Sequence, residues 1–517
     1  MAATTRSILH VLETYQKSRI AFVQTVAELA TKPQNVEVLH NAGVMQLLKP
    51  LLLDCVPQVQ QTAAIGLGRL ANYSEELAEA VVSQKILPQL VLSLTEQNRF
   101  SKKAAASVLK AVAKHTETLA QAVIDAGSLE HLVLCLEEFD PAVKEVAASA
   151  LGQVARHNTK LAQAVADAGA IPFLVLCVQE PELSLRRASA LALSDIAKHT
   201  PELARFVVDA KTVPLVAPLV THTDIKLKRQ ICCCLSSIAK HSTELAEVVV
   251  AADVFPKIFL SLKDTDPQVR RNAAIVVREV CKHNPQLAQL VVSNGGAAAL
   301  VENVTETYGS ERLPAGIMAL GFIAAFDEAL ANIVIASNGI PPLLDALCNE
   351  QEDHLKSASA WSLGQIGRHS SVHALAIAEA MVLPRLVSTF LSPTSSEDLQ
   401  NKCKKALKAI TDHLTHLSAL DALLQGPRLP EGILKFVVAQ LAKVLPNDAD
   451  ARTRFVTSGG FEKLQKLQPL EPGSELKEHI DKINTYYPIE LVHYYSPGYS
   501  ETLLQKLTGT KPAVAAA

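Results

Sequence analysis

The chain has 517 residues, of which 49% are apolar, 20% charged and only 4% aromatic, with a single Trp. A formal net charge of -3 gives no global pull toward nucleic acid or an anionic membrane. Nine cysteines without a CxxC pair lie inside apolar helical patterns, such as Cys135 in LVLCL and Cys177 in LVLCV. They read as small core hydrophobes of a reduced, intracellular protein.

In chain order, the N-terminus MAATTRSILHVLETYQKSR is too polar and interrupted for a signal peptide. Residues 1–32 are expected to form capping helices, because the terminal unit of a stacked array needs a polar outer face. No uninterrupted apolar run approaches the length of a membrane span. A period of 42 residues then sets in. Leu-Ala pairs fall at Leu77-Ala78, Leu119-Ala120, Leu161-Ala162, Leu203-Ala204, Leu245-Ala246 and Leu287-Ala288, slipping to Leu330-Ala331 and Leu375-Ala376. Histidines keep the same clock at His115, His157, His199, His241 and His283, with echoes at His369 and His413. Glycines recur at Gly43, Gly127, Gly169, Gly295 and Gly339.

Residues 160–199 show one unit. KLAQAVADAG is a short amphipathic helix stopped by Gly169, which suits the left-handed position after a helix. AIPFLVLCVQ is a second helix with Pro172 in its first turn, where the missing N–H is harmless. SLRRASALALSDIAKH is a longer third helix with apolar residues three and four apart. Three helices in about 42 residues fit the armadillo and HEAT range. Repeats are expected over 33–445, in eight to nine units, followed by a degenerate unit over 446–485 and a Tyr-rich tail over 486–517. The loops 392–398 (SPTSSED) and 426–432 (GPRLPEG) loosen the register.

The candidate chemistry is sparse. Histidines one layer apart, about 8–10 Å, cannot share one metal ion, so they read as helix C-terminal caps, each beside a base such as Lys114 or Arg156. Cys232, Cys233 and Cys234 point to different sides of one helix. No nucleophile grouping, phosphate loop or metalloprotease motif is present, so no catalytic, cofactor or metal site is expected. One pattern is less ordinary. Bases recur at the start of the third helix: Lys102, Lys103, Lys144, Arg186, Arg187, Lys228, Arg229, Arg270, Arg271 and Arg312. A cation there opposes the helix dipole by roughly 0.3–1 kcal/mol. Two readings stand open: pairing with acids of neighbouring repeats (Glu182, Asp224, Asp264, Asp266), or a positive stripe nearly 100 Å long, at about 10 Å per layer, that binds an acidic partner. Trp361 on a third helix and Tyr494 and Tyr495 in the tail complete the candidate protein-binding residues. The tyrosines read first as a terminal cap and second as an interface anchor.

The units DAGAIPFLVLC…ASALALSDIAKH and SNGIPPLLDAL…ASAWSLGQIGRH resemble armadillo repeats, whose motif is DAG, then IPxLVxL, then AxxALxxIA. The resemblance implies an all-α, right-handed armadillo-type solenoid of three-helix repeats. Nuclear-import receptors of that fold carry a Trp and an Asn four apart on the third helix. Here Trp361 matches and no Asn slot does, which argues against binding of nuclear localisation signals. The (K/R)HxxxLAxxVV signature, the N-terminal segment and the ending INTYYPIELVHYYSPGYSETLLQKL resemble the sperm-associated antigen family of the motile-cilium central apparatus. That resemblance implies a non-enzymatic scaffold of the axoneme, on the C1 side of the central pair and needed for its integrity and for motility. Its implied partners are tubulin and other central-apparatus proteins, with no nucleic acid, membrane or small-molecule substrate. The alternative is a soluble adaptor or transport receptor that grips extended peptides in its groove.

Overall fold

The computed structural model describes residues 2–307, 309, 312, 314–426, 429–467, 474–499 and 503. Among the described residues there are helices and turns and no strand. The chain divides into two compact units, Met1–His283 and Asn284–Ala517. The end of the Tyr-rich tail, 504–517, and Pro427-Arg428 of the second long loop lie outside the described residues.

Unit 1 repeats one three-helix pattern, clearest in Thr159–Asp167, Ala170–Gln179 and Leu183–Ala197. The first helix starts on a polar cap whose side chain accepts the N–H of the clock leucine: Ser74 from Leu77, Thr116 from Leu119, Asn158 from Leu161, Thr200 from Leu203 and Ser242 from Leu245. This fixes the meaning of the Leu-Ala pair. The cap places both residues on the buried face one turn in, and Leu161 and Ala162 are 1% and 0% exposed. The first and second helices meet at 79–81° in three of these repeats. The bend is made by one left-handed residue. Gly127 and Gly169 supply it without strain (φ 77° and 79°), whereas Lys85, Lys211 and Asp253 adopt it against their side chains (φ 55°, 62° and 51°).

The third helices form the spine of the unit, each packed against the next from Pro57–Tyr73 to Pro267–Cys281. Their contact faces are rich in Ala and Gly, which lets the backbones close in. A Cβ on Gly152 would lie 3.2 Å from the Ala192 Cα. At the N-terminus, where several capping helices were expected, Ala2–Leu29 form one 28-residue helix. Its second half buries Val23, Val26 and Ala27, with Val26 and Ala27 beside Gly66, and Arg19 pairs with Asp54.

Unit 2 continues the pattern with longer spacings. Its third helices include Pro314–Phe326, Asp353–Gly367 and Glu397–Thr411. The slip is read differently in three dimensions. Helix Ser371–Glu379 buries His373 and Ala374, so this pair, not Leu375-Ala376, occupies the Leu-Ala slot. The 446–485 segment contains helices Ala449–Thr457, Gly460–Gln465 and Glu475–Asn484, the first capped by Asp448 and the second entered through left-handed Gly459.

Candidate protein-interaction surface

The basic residues sit in the fourth and fifth positions of the third helices, and the structure gives most of them carboxylates one repeat on. Lys102 pairs with Glu138, Lys144 with Glu180 (2.8 Å) and Lys228 with Asp264. Arg187 embraces Asp224 with two N–H groups, and Arg229 does the same to Asp266. Those two aspartates also cap the next third helix, accepting from the Leu227 and Val269 N–H groups. One carboxylate therefore closes a helix end and tethers the preceding repeat. The guanidinium hydrogen bonds hold the Asp224 and Asp266 carboxyls below the usual carboxylate range. Glu182, expected as a further partner, accepts instead from the Ser184 hydroxyl.

Arg186 and Arg270 donate to backbone carbonyls of the loop before their own helix, Glu180 and Asp264 respectively. Arg312 departs most from the sequence reading. It precedes its third helix instead of starting it, and is 2% exposed. It donates to the Thr307 and Val304 carbonyls and pairs with Asp345 and Glu350, so it is a structural strut and not part of an exposed stripe. Lys103 and Arg271 are exposed and, among the described residues, have no carboxylate partner. The continuous positive stripe is thus reduced to these isolated cations. Inter-repeat pairing accounts for the rest, except Arg186 and Arg270, which bond backbone within their own repeat.

The histidines are caps of an unexpected kind. The Nε2–H of His115, His157, His199, His241 and His283 donates to the carbonyl of Ala71, Ala113, Ala155, Ala197 and Ala239, each 44 residues earlier, at 2.7–2.8 Å. Each therefore closes the third helix of the preceding repeat and not its own. His369 does the same to Ala324 in unit 2, while His413 is exposed. Burial pushes the imidazoles of His199, His241 and His369 below their ordinary pKa. Among the described residues no three His, Cys, Asp or Glu side chains converge as a metal site.

On the groove side of the third helices, the polar positions are mutually engaged. Asp195 pairs with Lys198, and Glu279 with Lys282 and Arg278. The Asn272 amide donates to the Arg229 carbonyl and the Cys233 sulfur. Trp361 stands edge-on to Phe322, ring centroids 4.9 Å apart, over Gly321, where a Cβ would approach it to 2.4 Å. It is a joint between consecutive third helices. In the tail, Tyr487 and Tyr495 pack on fully buried Phe461 at 4.4 and 5.9 Å, and burial pushes the Tyr487 hydroxyl to about 12. Tyr494 is 59% exposed and touches Tyr495 and Tyr499. Tyr487 and Tyr495 thus cover a buried aromatic cluster near the end of the described chain, and Tyr494 is exposed.

An Armadillo/beta-catenin-like repeat model matches residues 117–156, one full repeat as described above. Sperm-associated antigen 6 of Mus musculus is 68% identical over 507 residues, covering 98% of this chain and 99% of that protein. The Homo sapiens protein matches to the same extent. The chain belongs to the sperm-associated antigen 6 family. This member of the sperm-associated antigen 6 family shares its fold with an engineered protein of known crystal structure, at a TM-score of 0.69 and 25% identity over 85% of this chain and 97% of that one. It is an all-α armadillo solenoid and a repeat-based protein-interaction scaffold, and family and fold together point to a non-catalytic role. The sequence reading of this family member missed one surface set, the leucines Leu92, Leu134, Leu176 and Leu260. Their 42-residue spacing was the available signal.

Proposed function

We propose that this protein is a structural scaffold of the motile-cilium and flagellar axoneme, seated on the C1 side of the central-pair microtubules and needed for central-apparatus integrity and motility. The observation that carries this reading is the 68% identity to sperm-associated antigen 6 over 98% of this chain. An antigen named for sperm belongs to a flagellated cell, and a solenoid of stacked helices offers an extended surface for assembly partners. Tubulin and other central-apparatus proteins are the proposed partners. Retention of the protein with detergent-extracted axonemes tests the location. Release into the detergent-soluble fraction would favour the soluble adaptor or transport receptor instead. Lys103 and Arg271 are the cations left to meet acidic tubulin tails. Changing both to Glu should weaken microtubule cosedimentation without disturbing the inter-repeat pairs, and unchanged cosedimentation removes them from the contact.

A further inference from the structure

The buried face of a first helix carries three slots, filled by Leu161, Ala162 and Val165 in Thr159–Asp167. From Ala78 through Ala374 the middle slot is a fully buried Ala. In helix Leu417–Gln425 the same spacing recurs as Leu420, Asp421 and Leu424, so a carboxylate takes the place of the Ala. Asp421 is 9% exposed. Its Oδ1 lies so close to Gly460 that a Cβ there would meet it at 2.2 Å. Among the described residues its side chain accepts one hydrogen bond, a long one of 3.5 Å from the Gln425 amide, and no cation pairs with it. Burying a carboxylate without a cation opposes folding, and Ala would serve the core better. A residue that breaks the local rule of an otherwise regular array marks a functional position.

Asp421 lines a cleft of about 450 Å³ between helices Leu417–Gln425 and Ala449–Thr457, together with Asp448, Arg454, Thr457 and Ser458. Arg454 stands at the rim, 68% exposed and 3.6 Å from Asp448, which caps its own helix by accepting the Ala451 N–H. His416 and Ser418, bonded to each other at 2.9 Å, border both this cleft and an apolar cavity of about 230 Å³. Leu375, Met381, Leu383, Ala422 and Leu423 line that cavity, with exposed Glu379 beside them. Acids outnumber bases around the two spaces, Glu379, Asp421 and Asp448 against Arg454 alone.

This chemistry selects the occupant. An excess of carboxylates repels the phosphates of nucleic acid or an anionic membrane. No three His, Cys, Asp or Glu side chains converge among the described residues, so Asp421 does not belong to a metal-ligand set. A guanidinium or ammonium group supplies the donors that Asp421 lacks, and the adjoining cavity suits an apolar neighbour of that group.

We propose that this cleft is a docking site for a partner protein, entered by an Arg or Lys side chain that pairs with Asp421 while an adjacent aliphatic residue of the same segment fills the cavity beyond His416. The site lies wholly within unit 2 and is independent of the cellular location proposed above.

The test uses the full chain and two fluorescent glycine-serine decapeptides, one with Arg-Leu and one with Leu-Arg at its centre, read by anisotropy. Saturable binding of at least one is expected, weakened about tenfold or more by Asp421→Ala, and likewise by Gln for the peptide's Arg or Ser for its Leu. Asp421→Asn keeps the size, removes the charge and should weaken binding as well. Asp421→Ala installs the residue that earlier repeats carry, so its melting temperature should equal or exceed that of the wild type. No binding of either peptide, equal binding by wild type and variants, or a lower melting temperature for Asp421→Ala overturns the proposal. So would competition by agmatine at the peptide's own affinity, which would assign the cleft to a small organic cation. Self-association in the ultracentrifuge that Asp421→Ala abolishes would assign it to a second copy and likewise overturn the proposal.

Discussion

Replacing Asp266 by Ala removes two functions at once. Its carboxylate accepts the Val269 N–H at 2.9 Å as a helix cap and receives two N–H groups of Arg229 from the preceding repeat. The cap contributes about 1 kcal/mol, and a half-exposed ion pair about 0–1 kcal/mol. The sum, about 1–2 kcal/mol, is a factor of roughly 5–30 in a local opening equilibrium. Hydrogen exchange of the full chain should show that acceleration in amides 268–271, at the start of helix Pro267–Cys281. Asp266→Asn keeps the cap and loses the charge, so it should accelerate the same amides by about fivefold at most. Arg229→Ala should matter in the wild-type background and lose its effect once Asp266 is Ala. The sign with pH follows from the depressed carboxyl. The pair's contribution is complete above the unfolded pKa and is lost as pH falls through the folded one, so it fades only below about pH 4. If Asp266→Asn is as damaging as Asp266→Ala, or the two residues prove additive, the double role of the carboxylate is refuted.

The histidine caps carry their own pH signature. Burial depresses the imidazoles of His199, His241 and His369, so their contribution is complete above the unfolded pKa of about 6.5 and is lost as pH falls toward the folded values. Thermal unfolding between pH 8 and 5 should move to lower temperature below that point, and a flat profile counts against the caps. His241→Ala strands the Ala197 carbonyl and should cost about 1 kcal/mol by denaturant titration. Two glycines should respond oppositely to Ala. At Gly364 the new methyl meets the Ala406 Cα at 2.9 Å and should destabilise by about 1–3 kcal/mol. At Gly68 it finds ordinary contact at 3.5 Å, and helix propensity should add up to about 1 kcal/mol. Of nine thiols, exposed Cys55 and Cys348 should react rapidly with a disulfide reagent. The others should lag, Cys281 most and then Cys232 and Cys234, because burial raises the Cys281 thiol furthest and pushes Cys232 and Cys234 to about 12. A third fast thiol would contradict this.

Much of the fold was legible because it repeats. One set of residues seen six times separates signal from accident, and the cap, Leu-Ala pair, glycine and N1 proline each have a local physical reason. Register failed where the clock changed. Leu375-Ala376 copied the visible pattern, but His373 had taken the leucine's place in the core. The histidines were recognised as caps, yet their partners lie 44 residues back, a distance no local pattern reveals. The basic ladder posed the same problem. Its charges were plain, but whether a cation faces water or a carboxylate depends on which loop stacks above it. Arg312 shows this most clearly, since only the folded chain places it beneath Asp345 and Glu350. The exposed leucine set was passed over for another reason: a single exposed leucine is unremarkable, and only burial values along the clock set it apart.

The histidine caps and aspartate tethers also give the array a direction. In each, the polar group left open on one repeat is satisfied by a side chain that the later repeat brings: His157 for the Ala113 carbonyl, Asp224 for Arg187, Asp266 for Arg229. Through these contacts the repeats of unit 1 are completed mainly by their successors, although Lys49 donates forward to the Gln84 carbonyl of the next repeat. On a ribosome the newest repeat always has an unclosed end, and each arrival seals the one before. Loss of repeats from the C-terminal side strips closure from the new last member, whereas loss from the N-terminal side leaves surviving helix ends closed and only side chains without their targets.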